Sequence, residues 1–190
     1  MLGHTHALIG VTMVVGAQAL TGFMQPYLIQ DIPTGVVLNI SVGIIGALLP
    51  DIDANESSIK RELGLAGQLI QTLLRMIGVK HRGATHFGLT TLLLLFGATL
   101  IGRYLGYPDL GVAFGLGYIS HILADALTKS GVPLLWPFYR KSIHLLPKAF
   151  RIRTGGSVET LLFMVIVACL VFLSPTLMTA EIKDWIETIL

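Results

Sequence analysis

The sequence predicts an all-α protein, a polytopic bundle of about five membrane-spanning helices. Of the 190 residues, 53% are hydrophobic and only 13% are charged, against roughly 25% charged residues in an ordinary soluble domain. The mean hydropathy is +0.76. A spanning helix needs about 20 consecutive apolar residues, and five charge-free runs approach or exceed that length: 7–30, 32–50, 87–102, 110–124 and 160–180.

These runs follow one another in a single domain, 1–190, with no internal repeat. The first span runs from residue 7 to about residue 24, and the second ends where Pro50 and two aspartates stop an apolar helix. Thr85 is expected to cap the third span. The third and fourth runs are short for a span unless flanking residues snorkel to the interface or the helices bury one another. Ser157 and Glu159 open the fifth run.

The polar connection 54–84 contains an apolar pattern of its own. Leucine and isoleucine recur there at helical spacing, at Leu63, Leu65, Leu69, Ile70, Leu73, Leu74 and Ile77. Basic residues flank or interrupt these apolar positions. This pattern is typical of an amphipathic helix that lies on a membrane surface.

The N-terminus and the cysteine content exclude two other interpretations. No Lys or Arg precedes the first apolar run, and no clear cleavage site follows it, so we do not expect a secretory signal. Cys169 is the only cysteine. An intrachain disulfide and a metal site built from thiolates are therefore excluded.

The distribution of Lys and Arg predicts the orientation in the membrane. The connections after the second and fourth spans hold eleven of these residues, and the opposite side receives only Arg103 and Lys183. By the positive-inside rule both long connections and the N-terminus face the cytoplasm. The expected location is a bacterial-type inner membrane.

This topology collects eight ionisable residues at the cytoplasmic end of the bundle. His121 and Asp125 are four residues apart and share one helical face. Ionisable groups at membrane depth are costly and usually face a site or a partner. The whole set provides nitrogen and oxygen donors: His6, Asp51, Asp53, His81, His86, His121, Asp125 and Glu159. It suits two or three divalent ions, zinc first, with manganese or iron as alternatives.

Such ions generate hydroxide at neutral pH and clamp a phosphoryl group, and the nearby basic residues favour an anionic, phosphate-containing substrate. Asp51 or Asp53 is expected to ligate while the other caps a turn or acts as the base. Arg82 is either a phosphate contact or an ordinary interfacial arginine. Membrane lipids are expected partners, and nucleic acid is not.

Several stretches of the chain resemble the YdjM-like family of membrane-bound metal-dependent hydrolases. They run in order from residue 5 to about residue 160: Thr5-His6-Ala7, Leu48 to Asp53, His81 to His86, Gly117 to Asp125 continuing through 131–137, and Glu159. At the level of its ligand pattern, the family is similar to zinc-dependent phospholipase C and the related single-strand nucleases. The resemblance implies phosphodiester cleavage and metal binding by His6, Asp51 or Asp53, His81, His86, His121, Asp125 and Glu159.

Two other functions fit the same residues. An ion- or proton-coupled transporter would use them as an ion path, although they gather at one end of the bundle and no inverted repeat is evident. A non-catalytic membrane protein would use them for a structural metal. His86 has the further alternative of orienting a neighbouring ligand, and Glu159 that of a helix-start carboxylate stabilised by the helix dipole.

Overall fold

A computed structural model describes residues 1–21, 32–54, 57–76, 84–136, 138–139 and 141–177. Within these ranges the protein is all-α, as predicted, and contains two isolated β-bridges but no β-strand. The helices are α1 (Gly3–Thr21), α2 (Ile32–Leu48), α3 (Ser58–Glu62), α4 (Gly64–Met76), α5 (Gly88–Tyr104), α6 (Pro108–Ala126) and α7 (Ser157–Leu177).

Each of the five predicted spans coincides with a helix, namely α1, α2, α5, α6 and α7. Among the described residues, one run is both long and apolar enough to cross a membrane. This run is Gly35–Asp53, with 19 residues and a mean hydropathy of 1.8. The apolar stretches Gly88–Tyr104 and Ser157–Phe172 are shorter. The all-α class is therefore confirmed, whereas the number of spans stays a prediction.

Helix α6 is the centre of the bundle and packs against α1, α2 and α5. Its contact with α2 is backbone to backbone, because a Cβ added to Gly117 would collide with the carbonyl oxygen of Gly43. A Cβ added to Gly46 would likewise collide with the carbonyl oxygen of Phe114. Small residues allow helices to approach this closely, and here they bring the C-terminal half of α2 onto the middle of α6.

Two short 3-10 turns lie at the end of the bundle where α6 terminates. The first, Leu49–Asp53, continues directly from α2, with Pro50 in its first turn, where the missing N–H costs no hydrogen bond. The second, Ala84–His86, comes immediately before α5, and the two turns contact each other. The prediction that Thr85 caps the third span is wrong, because the residue that precedes the first turn of α5 is Phe87.

Helix α4 is the predicted amphipathic helix. Leu65, Leu69 and Leu73 expose 79%, 65% and 61% of their surface, whereas Gln71 is buried. The helix packs against α3 and against the 3-10 turn that follows α2. Its helical state is confirmed, and its position on a membrane surface stays a prediction.

The close contact of α2 and α6 can be tested by adding one methyl group. Gly117→Ala should destabilise the protein by about 1–3 kcal/mol, the usual cost of overpacking, because the neighbouring atom is backbone and cannot move aside. Gly97→Ala is the matched control, since no atom lies within 4 Å of the position that its new Cβ would take and Ala is favoured over Gly in a helix by roughly 0.8–1 kcal/mol. Unfolding in detergent measures both variants, and equal stabilities would contradict the packing described.

Candidate metal centre

Helix α6 contributes His121 and Asp125, which lie one turn apart and are almost completely buried, with 0% and 1% exposure. The Nδ1 atom of His121 lies 2.7 Å from the carbonyl oxygen of Ala47 in α2. A carbonyl can only accept, so Nδ1 carries the proton and donates it. The Nε2 atom of the neutral imidazole therefore has a free lone pair, which is the form that binds metals.

The turn before α5 orients His86 in the same way. Thr85 donates its hydroxyl proton to Oδ2 of Asp53 at 3.0 Å. Its Oγ1 also lies 3.0 Å from Nδ1 of His86, and since the hydroxyl has only one proton, it must accept from the imidazole. The hydroxyl of Tyr118 donates to the carbonyl of Thr85 and fixes the turn on α6. The Nε2 atom of His86 is thus also left with a lone pair.

These two lone pairs point at the same place. Nε2 of His86 and Nε2 of His121 are 3.2 Å apart in a fully buried position. Two acceptors at hydrogen-bond distance repel one another unless a proton or a cation lies between them. The geometry of the two imidazoles therefore requires a proton or a cation between the two Nε2 atoms, and a metal ion is one such cation.

Three further side chains complete the cluster. The ring of His6 stacks on that of His121 with the centroids 3.7 Å apart, and its Nε2 lies 3.3 Å from Oδ1 of Asp125. His6 is fully buried, yet neither of its ring nitrogens makes a hydrogen bond of acceptable geometry. Oδ1 of Asp51 lies 3.8 Å from Nε2 of both His86 and His121. A buried imidazole whose only polar neighbour is poorly aligned for a hydrogen bond is costly, which is compatible with a metal ligand at this position.

The donor atoms form two overlapping groups that share His121. His6, Asp51 and His121 form one group, and His86, His121 and Asp125 form the other, each with its donor atoms within 4.8 Å of one another. Imidazole and carboxylate donors in this combination suit zinc, manganese or iron. The Asp51 side chain is 20% exposed, while those of the other four donors are at most 1% exposed. The cluster therefore opens to solvent beside Asp51.

Two of the predicted ligands lie elsewhere. Asp53 is buried and accepts a hydrogen bond from the hydroxyl of Thr85. It therefore helps to orient His86 through Thr85 and is not itself a member of the cluster. Glu159 accepts two backbone N–H groups, from Leu2 at 2.6 Å and from Gly155 at 2.8 Å. In this arrangement Glu159 holds the start of α1 against the start of α7 and belongs to neither donor group.

The remaining predicted residues, His81 and Arg82, lie outside the described residues. The amine of Met1 also reaches the cluster and donates to Oδ1 of Asp125 at 2.5 Å. The role of Thr85 as a link between Asp53 and His86 was not predicted from the sequence. Nor was that of Gln71, whose side chain binds the backbone after the Asp51–Asp53 turn. Neither residue differs in sequence pattern from an ordinary polar residue at a helix start or on a helix face.

Comparison with known proteins gives the family. The family model described as YdjM inner membrane protein matches residues 1–181. The chain belongs to the YdjM family. Two relatives named Inner membrane protein YdjM, from Escherichia coli (strain K12) and Shigella flexneri, are each 43% identical over 101 residues, which cover 50% of this chain and 46% of the relative. The uncharacterized protein YvsG of Bacillus subtilis (strain 168) is 31% identical over 139 residues, 72% of this chain and 74% of YvsG.

The match spans about half the length, 46%, of the two relatives named YdjM. Their names identify this YdjM-family chain as a membrane protein and support an inner-membrane location. No solved structure matches the chain. The resemblance inferred from the sequence is thus confirmed at the level of the YdjM family, and its hydrolase activity stays a prediction.

The hydrogen bonds that Thr85 forms with Asp53 and with His86 can be tested with an isosteric substitution. Thr85→Val should destabilise this YdjM-family protein by about 1–3 kcal/mol, the cost of leaving buried polar groups without partners. Thr99→Val is the matched control. It removes only a bond from the hydroxyl to the carbonyl of Leu95 in the same helix and should change stability by less than about 0.5 kcal/mol. Thermal unfolding in detergent measures the difference, and similar losses in both variants would contradict the role of Thr85.

Proposed function

We propose that this YdjM-family protein is a membrane-embedded, metal-dependent hydrolase of phosphoesters, with its site at the cytoplasmic face of a multi-pass helical bundle. The observation that supports this function best is the convergence of His86 and His121, whose unprotonated Nε2 atoms face each other at 3.2 Å. His6, Asp51 and Asp125 surround that point with further donors. Imidazole and carboxylate donors gathered in this way match the ligands that zinc, manganese and iron take in proteins.

The described residues that would hold the metal are His6, Asp51, His86, His121 and Asp125. Zinc is the first candidate, and manganese or iron are alternatives. His121 has a single free nitrogen, because its Nδ1 is bonded to Ala47. It would therefore ligate one ion, and a second or third ion would need further donors such as the carboxylates or His81.

A divalent ion bound there would supply an activated water and charge stabilisation for a phosphoryl group. Asp51 is the donor whose side chain reaches solvent, so its carboxylate is the group best placed to take a proton from an incoming water. Asp53 is bonded to Thr85 and serves to orient His86. Arg82 is proposed to hold the phosphate of the substrate.

The membrane setting favours a phospholipid or a lipid-linked phosphate as the substrate. The cluster lies where the run Gly35–Asp53 ends, because Asp51 and Asp53 are in its last turn. A substrate with an acyl or prenyl tail can reach this level from the bilayer with its phosphate at the polar surface. The basic connections on the same side, with eleven Lys and Arg residues, would favour an anionic headgroup.

The near-complete burial of four of the five donors also fits a structural metal site without turnover. Both functions require bound metal, and they differ in whether a water can occupy a coordination position. Hydrolysis of a phosphoester by the metal-loaded protein distinguishes them.

Metal content is the first test of the proposed function. Protein purified in detergent should contain at least one zinc, manganese or iron ion per chain, measured by elemental analysis. His121→Ala and Asp125→Ala should weaken metal binding by more than the roughly 10–100-fold that outer-shell substitutions cost, and both variants should lose hydrolysis of phospholipid substrates. His144→Ala is the control, because His144 lies outside the cluster and its ring bonds the carbonyl of Lys129.

The outcomes separate the alternatives. Metal-free wild-type protein, unable to bind added zinc, would refute the metal centre and the hydrolase together. Tightly bound metal without turnover on any phosphoester would refute the hydrolase and support the structural metal site. Unchanged metal content in His121→Ala and Asp125→Ala would show that the ion binds elsewhere.

A further inference from the structure

Helix α4 presents an apolar stripe that no described part of the chain covers. Leu65, Leu69, Leu73 and Met76 expose 79%, 65%, 61% and 77% of their surface. Their spacing of four, four and three residues places them on one side of the helix. An exposed stripe of this kind, beside a polar side of the same helix, is typical of helices that lie in a membrane interface.

The opposite side of α4 is fixed by Gln71, which is only 6% exposed. Its Nε2 donates to the carbonyl oxygens of Asp53 at 3.2 Å and of Ala54 at 2.8 Å. Its Oε1 accepts a hydrogen bond from Nζ of Lys60 at 3.2 Å. Both amide protons and the carbonyl oxygen of Gln71 are thus used, and two of these bonds hold the end of the 3-10 turn that contains Asp51.

These bonds set the level of α4 relative to the membrane. Asp53 is the last residue of the run Gly35–Asp53, which is long and apolar enough to cross a bilayer. A helix bonded to the end of that run lies where the run leaves the hydrocarbon, at the boundary between lipid and water. Leucine side chains exposed at this level meet acyl chains. Lys60 and Arg61 lie just before α4 in the chain and supply positive charge for lipid phosphates.

We propose that the leucine stripe of α4 docks on the bilayer surface and that Gln71 ties the docked helix to the Asp51–Asp53 turn of the candidate metal centre. The bilayer would fix the position of α4, and Gln71 of α4 bonds the backbone carbonyl of Asp53. The side chain of Asp53 accepts a hydrogen bond from Thr85, and Thr85 in turn contacts His86. The relevance of this link to metal binding rests on the proposed function. The docking itself and the bond to the turn do not.

Docking is tested with spin labels on the full-length protein in vesicles of phosphatidylglycerol and phosphatidylcholine. Cys169→Ser removes the single native cysteine, and Leu69→Cys or Gln68→Cys then introduces one label on the leucine stripe or on the neighbouring polar side. The label at residue 69 should be accessible to oxygen and protected from a water-soluble nickel chelate. The label at residue 68 should show the reverse preference.

Equal exposure of both labels to the nickel chelate would overturn the docking. Dipolar broadening at residue 69 that disappears on dilution with unlabelled protein would also overturn it, since a second copy of the chain would then cover the stripe. Protection of residue 69 from oxygen and from nickel alike, without such broadening, would mean that protein covers the stripe and would equally refute lipid docking.

The link through Gln71 is tested with Gln71→Met, which keeps the length of the side chain but cannot donate to the two carbonyls. Hydrogen–deuterium exchange of residues 49–54 should become at least about tenfold faster than in the wild type, because the carbonyls of Asp53 and Ala54 lose their donor. Gln68→Met is the control and should leave this exchange unchanged. Unaltered exchange in Gln71→Met would overturn the link.

Zinc affinity distinguishes this inference from the proposed function. Titration against a competing chelator should show roughly 10–100-fold weaker binding in Gln71→Met, the range for residues that orient a ligand from behind. A wild-type protein that binds no zinc would refute the metal centre and leave the spin-label and exchange results standing. If Gln71→Met binds zinc as tightly as the wild type but exchanges faster at residues 49–54, Gln71 stabilises only the turn. That result would overturn the extension of the link to His86.

Discussion

The direct backbone contact of α2 with α6 is the constraint on which the candidate metal centre depends. Gly117 lies against the carbonyl of Gly43, and one turn further along both helices Nδ1 of His121 reaches the carbonyl of Ala47. Residues four apart lie on the same helical face. The glycine contact and the imidazole bond are therefore two points of the same interface, and a wider separation of the helices would release the ring that belongs to both donor groups.

A second feature is that the two central imidazoles of the cluster are oriented by different segments of the chain. His121 is held by α2, and His86 is held by Thr85 and, through it, by Asp53 in the turn after α2. Polar groups buried in an apolar bundle must find partners. Here those partners are arranged so that both imidazoles carry their proton on Nδ1 and turn Nε2 toward the middle of the cluster.

Much of this arrangement was predictable from the sequence, and the reason is topological. In a bundle whose successive helices alternate in direction, every second connection lies at the same end, so the polar ends of the apolar runs were expected to gather there. His6, Asp51, His86, His121 and Asp125 do converge. The pairing of His121 with Asp125 also followed from their helical spacing alone.

The orientation of individual side chains was not predictable. Asp51 and Asp53 were equivalent candidates because the sequence does not show that they lie on a 3-10 turn. With about three residues per turn, positions two apart point in clearly different directions, which sends Asp51 to the cluster and Asp53 to Thr85. Glu159 fits a ligand by position, yet the backbone N–H groups of Leu2 and Gly155 occupy its oxygens. The use of Gln71 depends on the packing of α4, which helical periodicity does not specify.

The exposure of Asp51 has a consequence for how the centre would exchange its ion. The side chains of the other four donors are at most 1% exposed, so among the five described donors Asp51 marks the side from which an ion would enter or leave. The rate of exchange would then depend on how far the Asp51 side chain can move aside, as well as on the affinity for each metal.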